Sequence, residues 1–160
     1  MTCVYLHNGT DILLIERSKA TQMAPGMWAG VGGHLEPLEI SDPRECAVRE
    51  VEEETGIKQS HIHGLRLQAV LHRRRHNEIR LQYIYVGSAD IRELTETDEG
   101  TLLWVPRDSV LELEMSAANR FFLKKYLTHG PTETVWVGTL ANDSGNPRMQ
   151  WSMLEDWEDA

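Results

Sequence analysis

Apolar residues along this chain change period, and the changes mark its elements. Thr2 to Leu6 and Ile12 to Glu16 are short, densely apolar runs on either side of His7-Asn-Gly-Thr-Asp11, where Asn8-Gly9 is a strong hairpin-turn signal. They predict two strands. Residues 18 to 27 lose the pattern and carry Pro25-Gly26, which predicts a loop before Trp28 to Gly32. From Asp42 the period becomes helical. Asp42 suits an N-cap, Pro43 the first helical position, Glu45 the third position of a capping box, and Gly56 the stop. Ala47, Val48, Val51 and Thr55 share one face of that helix, whereas Glu50, Glu53 and Glu54 fall within an arc of roughly 100° on another. One face is expected to pack and the other to bind.

Leu65 to His72 and Ile79 to Val86 continue as strand-like runs joined through Arg73-Arg74-Arg75-His76-Asn77; its arginines could grip a phosphate tail or a dinucleotide, but a solvated hairpin tip is the favoured reading. Leu102 to Val105 is a short strand, and Ser116 to Leu127 has the spacing of a second helix. Thr134 to Leu140 and Met149 to Met153 predict a closing hairpin across Asn142 to Asn146. The acidic tail 155 to 159 is expected to fray. This order of strands and helices predicts an α+β or α/β domain, and 160 residues without a repeat or linker fit one domain over 1–160.

Composition narrows the function. With 41% hydrophobic and 26% charged residues the chain is an ordinary globular one. No apolar run approaches the roughly 20 residues of a membrane span, so no membrane partner and a cytoplasmic location are expected. A net charge of −9 argues against binding a nucleic-acid polymer, which needs surplus Lys and Arg. It does not exclude a small nucleotide, because bound cations can invert the field of an acidic site. Cys3 and Cys46 lack zinc-type spacing and read as free, buried thiols; His61 and His63, with no further ligand nearby, do not predict a zinc site either.

The glutamates change the picture further. Glu50, Glu53 and Glu54 repel one another, costing a few tenths of a kcal/mol per pair in an isolated helix. A hard divalent cation would offset that cost, since Mg²⁺ is usually held by a few carboxylates with water and substrate phosphates. Glycine lets backbone come close, so carbonyls of the Gly32-Gly33 loop are candidate further ligands. A solvated acidic face is the ordinary reading of such a run. The adjoining glycine loop and Glu39 favour the metal.

Gly33, Glu39, Arg49, Glu50, Val51, Glu53, Glu54, Gly56 and Ile57 together resemble the signature of the Nudix hydrolases, G-x5-E-x7-R-E-U-x-E-E-x-G-U, where U is aliphatic. One departure stands out: nine residues, 40 to 48, separate Glu39 from Arg49 where the signature has seven. The extra pair is expected to lengthen the loop before the helix. The resemblance, strongest over residues 32 to 57, implies an α/β/α sandwich with a mixed sheet flanked by helices. It also implies a Mg²⁺- or Mn²⁺-dependent pyrophosphohydrolase acting on a small nucleotide, as a monomer or homodimer. Gly33, Glu50, Glu53 and Glu54 are the implied metal site, with Glu53 or Glu54 most central, and Arg49 orients the helix glutamates. Glu39 and Gly56 complete the structural motif. Among MutT-like members a loop glutamate acts as ligand or base, which brings in Glu99, and less strongly Glu96, beside Glu53 and Glu50 as catalytic candidates. Arg17 matches a phosphate-binding cation, or is a surface arginine. Trp28 either stacks on a base or belongs to the core; Asn119 either contacts a purine or caps the second helix. The implied substrate is a nucleoside triphosphate, with damaged ones such as 8-oxo-dGTP included. The alternatives are ADP-ribose, a nucleotide sugar or a dinucleotide, and, from another class, a nucleotide sensor without turnover.

Overall fold

The computed structural model describes residues 1–18, 25–95 and 97–156. Strands β1 (Thr2–Asn8) and β2 (Asp11–Arg17) leave a turn at Gly9-Thr10, one residue later than the Asn8-Gly9 signal, as an antiparallel pair, but stay paired only at His7–Ile12 and Asn8–Asp11. Beyond that they splay, and the chain from 28 to 33 enters the gap. Its strand β3 (Trp28–Ala29) pairs with Ile15 and Glu16 of β2, Val31 bridges to Val4 of β1, and the Thr2 amide donates to the Gly33 carbonyl at 2.8 Å. The glycine loop is thereby built into the sheet.

The remaining strands extend that sheet on both sides. β4 (Ile62–Arg75) and β5 (Glu78–Ala89) form a long hairpin; β5 lies parallel to β1, and β4 parallel to β7 (Val135–Asp143). Next to β7, β8 (Asn146–Leu154) closes the expected terminal hairpin around Ser144-Gly145. β6 (Gly100–Pro106) runs antiparallel along the free side of β2. The order is β3-β2-β1-β5-β4-β7-β8, with β6 paired to β2.

Each face of the sheet carries one helix. Ala47 and Val51 of α1 (Pro43–Thr55) pack against Val4, Leu6, Leu13 and Val31, while Phe122 and Leu123 of α2 (Ala117–His129) pack against Cys3, Tyr5, Ile12 and Leu14. Successive residues of β1 therefore serve opposite cores, which is why that strand reads as an unbroken apolar run. The layers match the sandwich with a mixed sheet implied by the sequence. Both cysteines are free and buried, and no helix among the described residues is long and apolar enough to cross a membrane.

Several local expectations need correction. Arg73 to Arg75 belong to β4, and the turn is His76-Asn77, with His76 at φ 53°. The hairpin thus starts later than its polar composition suggested. At the start of α1, Asp42 Oδ1 accepts from the Arg44 amide at 3.0 Å, but the reciprocal bond from Glu45 is not formed among the described residues. The cap of α2 is Ser116, whose Oγ accepts from the Asn119 amide at 3.3 Å; Asn119 is inside the helix and is not its cap. His61 and His63 both face Asp90, at 2.8 and 2.9 Å, on the surface. Glu96 and the end of the acidic tail, residues 157 to 160, lie outside the described residues.

Gly56 ends α1 in the left-handed region at φ 77°, donating to the Glu52 carbonyl at 2.9 Å, and a Cβ there would overlap the Thr95 side chain. Gly56→Ala is expected to cost about 1–2 kcal/mol from the backbone conformation alone. Urea denaturation at neutral pH measures it.

Candidate active site

One guanidinium gathers most of the motif carboxylates. Arg49 donates from Nε and Nη2 to the two oxygens of Glu39 at 2.8 and 3.0 Å, and from Nη1 to Glu50 at 2.9 Å and Glu53 at 2.8 Å. Glu39, nearly buried, also accepts from the Glu36 amide at 2.7 Å. The Arg49 hydrogen bonds hold the Glu39 carboxyl down at about 2, and the same bonds raise the Arg49 pKa above its ordinary value. Glu39 sits on a 3-10 turn, Pro37–Glu39; Ile40, 70% exposed, and Ser41 then loop outward before the Asp42 cap. Two extra residues are absorbed at the surface, and Glu39 still meets Arg49.

The helix glutamates do not share one environment. Glu54, only 9% exposed, accepts from the Gly32 amide at 3.1 Å, and the Glu50 carboxylate lies where a Cβ on residue 33 would be. A side chain at 33 would push the Glu50 carboxylate out of this place. Glu53 is the outlying member, its side chain 59% exposed beside Arg49. The expected division of α1 into a packing face and a binding face holds only in part, because Glu54 is enclosed between helix and glycine loop. Burial pushes the Glu54 carboxyl up to about 7, with the Gly32 N–H opposing and the charges of Glu50 and Glu99 adding; burial also raises Glu50 against the pull of Arg49.

Glu99 and Arg17 complete the mouth of the site from the other side of the sheet. Arg17 ends β2 opposite Gly100 of β6, and its Nη2 stands 3.6 Å from the Glu99 carboxylate. The Arg17 Nε is buried with no hydrogen bond among the described residues, an unspent donor at the edge of a cleft. That cleft runs over the face covered by α2. Trp28, Gly30, Gly32 and Asn119 line it, together with two residues the sequence reading did not place there, Arg73 and Gln82. Trp28 lines the cleft and also packs on the core beneath. Asn119 is 6% exposed, and its side-chain amide makes no hydrogen bond to another described residue.

These donors suit a hard cation. Glu50 and Glu54 are enclosed oxygens whose pKa values burial raises, and the charges of neighbouring carboxylates, Glu99 among them at Glu54, add to that. Among the described residues no three His, Cys, Asp or Glu side chains stand ready as a cage. Mg²⁺ seldom uses one; one or two carboxylates with water and substrate phosphates are its usual complement. The Gly33 carbonyl accepts from the Thr2 amide and keeps a second lone pair, so its expected place among the ligands is compatible with that bond.

A glycine loop wedged into a mixed sheet, facing a glutamate helix bound by one arginine, defines a family. The chain belongs to the Nudix hydrolases: the NUDIX domain pattern matches residues 1–126. Members of this family generally use divalent metal ions. Solved structures repeat the fold at low identity. A MutT protein from Bacillus halodurans is 23% identical with a TM-score of 0.69, over 92% of this chain and 95% of that one. The NUDIX domain of Shewanella oneidensis NrtR, solved with ADP ribose, is 13% identical with a TM-score of 0.61, over 78% and 81%. An Ap4A hydrolase from C. elegans is 16% identical with a TM-score of 0.62, over 79% and 92%.

Two outcomes are expected from the electrostatics. The folded pKa of Glu54 is raised, so its neutral form stabilises the metal-free protein below about pH 4.5, and that contribution is lost as pH rises through about 7. In metal-free buffer at pH 8, Glu54→Gln should therefore be more stable than the parent by about 1–3 kcal/mol, measured by urea denaturation. Arg49→Met, which strands Glu39 and Glu50, should instead cost about 1–3 kcal/mol. Arg49→Lys should restore only part of that, because an ammonium cannot fork to two oxygens.

Proposed function

We propose that this Nudix hydrolase cleaves a nucleoside triphosphate to the monophosphate and pyrophosphate, with Mg²⁺ or Mn²⁺ as the required ion and oxidised purines such as 8-oxo-dGTP among the candidate substrates. The observation that carries this reading is the placement of Glu50 and Glu54 against Gly32 and Gly33, at the mouth of a cleft lined by Arg17, Trp28 and Asn119. Carboxylates lie at one end and a tryptophan and an amide farther in, the order in which a nucleotide presents its phosphates and its base.

Glu50 and Glu54, with Glu53 beside them, are the residues that would hold the ion. When bound, it neutralises phosphate charge and polarises the phosphoanhydride. The rest falls to the chain. Arg17 offers its unspent Nε to a phosphate oxygen, a charge-assisted bond that also fixes the substrate's direction. Water adds to phosphorus, the bridging P–O bond breaks towards pyrophosphate, and the proton of the water passes to a carboxylate. Glu53 and Glu99, at 59% and 50% exposure, are the carboxylates open to water and take that role between them. Trp28 stacks on the base. Arg49 and Glu39 touch no substrate and position the helix glutamates.

A small nucleotide, free of any polymer, fits a net charge of −9. The sensor alternative lacks support from the site, since the helix glutamates and Arg49 are all in place.

Purified protein assayed with and without Mg²⁺ on a panel of nucleoside triphosphates, 8-oxo-dGTP, ADP-ribose and a dinucleotide polyphosphate should release pyrophosphate from a triphosphate only when the metal is present. Release of two nucleotides from the dinucleotide alone would replace this reading. Whichever of Glu53→Gln and Glu99→Gln removes the base should lower kcat by roughly 10²- to 10⁴-fold and abolish the acidic limb of the pH–rate profile. Arg17→Met should raise KM by about tenfold with a smaller change in kcat.

A further inference from the structure

The inner end of the cleft carries a cation that the phosphates do not need. Arg73 of β4 makes no ion pair or hydrogen bond to a described residue; burial and the like charges of Arg80 and Arg75 pull its pKa below the ordinary arginine value. Arg80, its cross-strand partner, is already spent on Glu78 at 3.1 and 3.2 Å. The alternation of the strands fixes where Arg73 points. Ala69 and Leu71 of β4 and Ile84 and Val86 of β5 all belong to the core under α2, so Arg73 and Gln82, two residues farther on in each strand, share that face. Both line the same cleft as Gly32 and Asn119, and Arg73 also walls an adjoining apolar recess with Leu71, Ala118 and Leu140.

Position along the sheet distinguishes this end from the phosphate end. The glycine loop lies beside β1, β1 beside β5, and β5 beside β4. Three inter-strand steps of this kind amount to about 14 Å, so a nucleotide whose phosphates meet the glycine loop brings the far edge of its base, not a phosphate, towards Arg73. A guanidinium only donates, and so calls for acceptors, whereas the carboxamides of Gln82 and Asn119 can do either. A 6-oxopurine answers with a carbonyl oxygen at the far edge; adenine presents an amino donor there, which would leave the guanidinium unpaired. Apolar walls with a few convergent polar groups are the usual make-up of such a pocket.

On the reading that this cleft takes a nucleotide, we propose that Arg73, seconded by Gln82, is the residue that selects a 6-oxopurine base over adenine.

Binding of product-like monophosphates tests this apart from catalysis. GMP, IMP and AMP would be titrated calorimetrically into the full-length protein with Mg²⁺, alongside Arg73→Met, Arg73→Lys and Gln82→Ala, with circular dichroism to confirm folding. GMP and IMP are expected to bind the parent roughly tenfold more tightly than AMP. Arg73→Met should bring all three to the AMP level, Arg73→Lys should keep part of the difference, and Gln82→Ala should narrow it while Arg73 remains. The assignment is overturned if the parent binds AMP as tightly as GMP, if none of the three binds, or if Arg73→Met weakens all three alike, which would mark Arg73 as a phosphate contact. Selective binding without triphosphate turnover would overturn the hydrolytic reading and leave this one standing. Turnover without 6-oxo selectivity would do the reverse.

Discussion

Everything in the site depends on where α1 sits relative to the glycine loop, and Arg49 fixes that placement. Its guanidinium joins a turn before the helix, through Glu39, to two residues on the helix, Glu50 and Glu53. A planar fork with five donors can satisfy several carboxylates at once, whereas an ammonium is a single point of charge. The pairing also limits repulsion within the helix, since each glutamate drawn to Arg49 adds less to the field at Glu54. Glu54, the one left without it, is the carboxylate with the strongly raised pKa.

The second constraint is the wedge of residues 28 to 33 between β1 and β2. It converts a simple hairpin into a sheet with a gap, and that gap is what allows a helix on one face and a cleft on the other to meet at Gly32 and Gly33. The glutamates of α1 and the cleft under α2 thereby approach the same glycine loop from different faces of the sheet.

Local features were legible in the sequence because local physics decides them. The Asp42 cap with Pro43, the Gly56 stop and the spacing of the motif glutamates all follow from a few neighbouring residues and are found where they were read, and the first hairpin turn falls one residue past Asn8-Gly9, at Gly9-Thr10. Features that depend on strand order were not legible. Arg73 looked like part of a polar hairpin tip because nothing near it in sequence shows that β4 lies two strands from β1, or that α2 covers that face. Its signal was available only as parity: it continues the inward series Ala69, Leu71. Glu54 was legible as a ligand candidate but not as a buried one, since a helical wheel cannot show that the Gly32 amide comes down upon it. Of the two readings of Asn119, the helix cap fails, because Ser116, three residues earlier, accepts the bond, and the other is left to its place in the cleft.

The parallel pairing of β1 with β5 brings Thr2 opposite Tyr83, and the cleft is finished only by Asn119 of α2. Contacts so distant along the chain form late and slowly, because closure of the intervening loops must be paid in entropy before they are made. During synthesis the glutamate helix can be complete while β5 has yet to emerge and Gly33 has no settled place in a sheet. A nascent chain will therefore carry the whole signature sequence and still lack the cleft, which closes only when the last of these distant contacts is made.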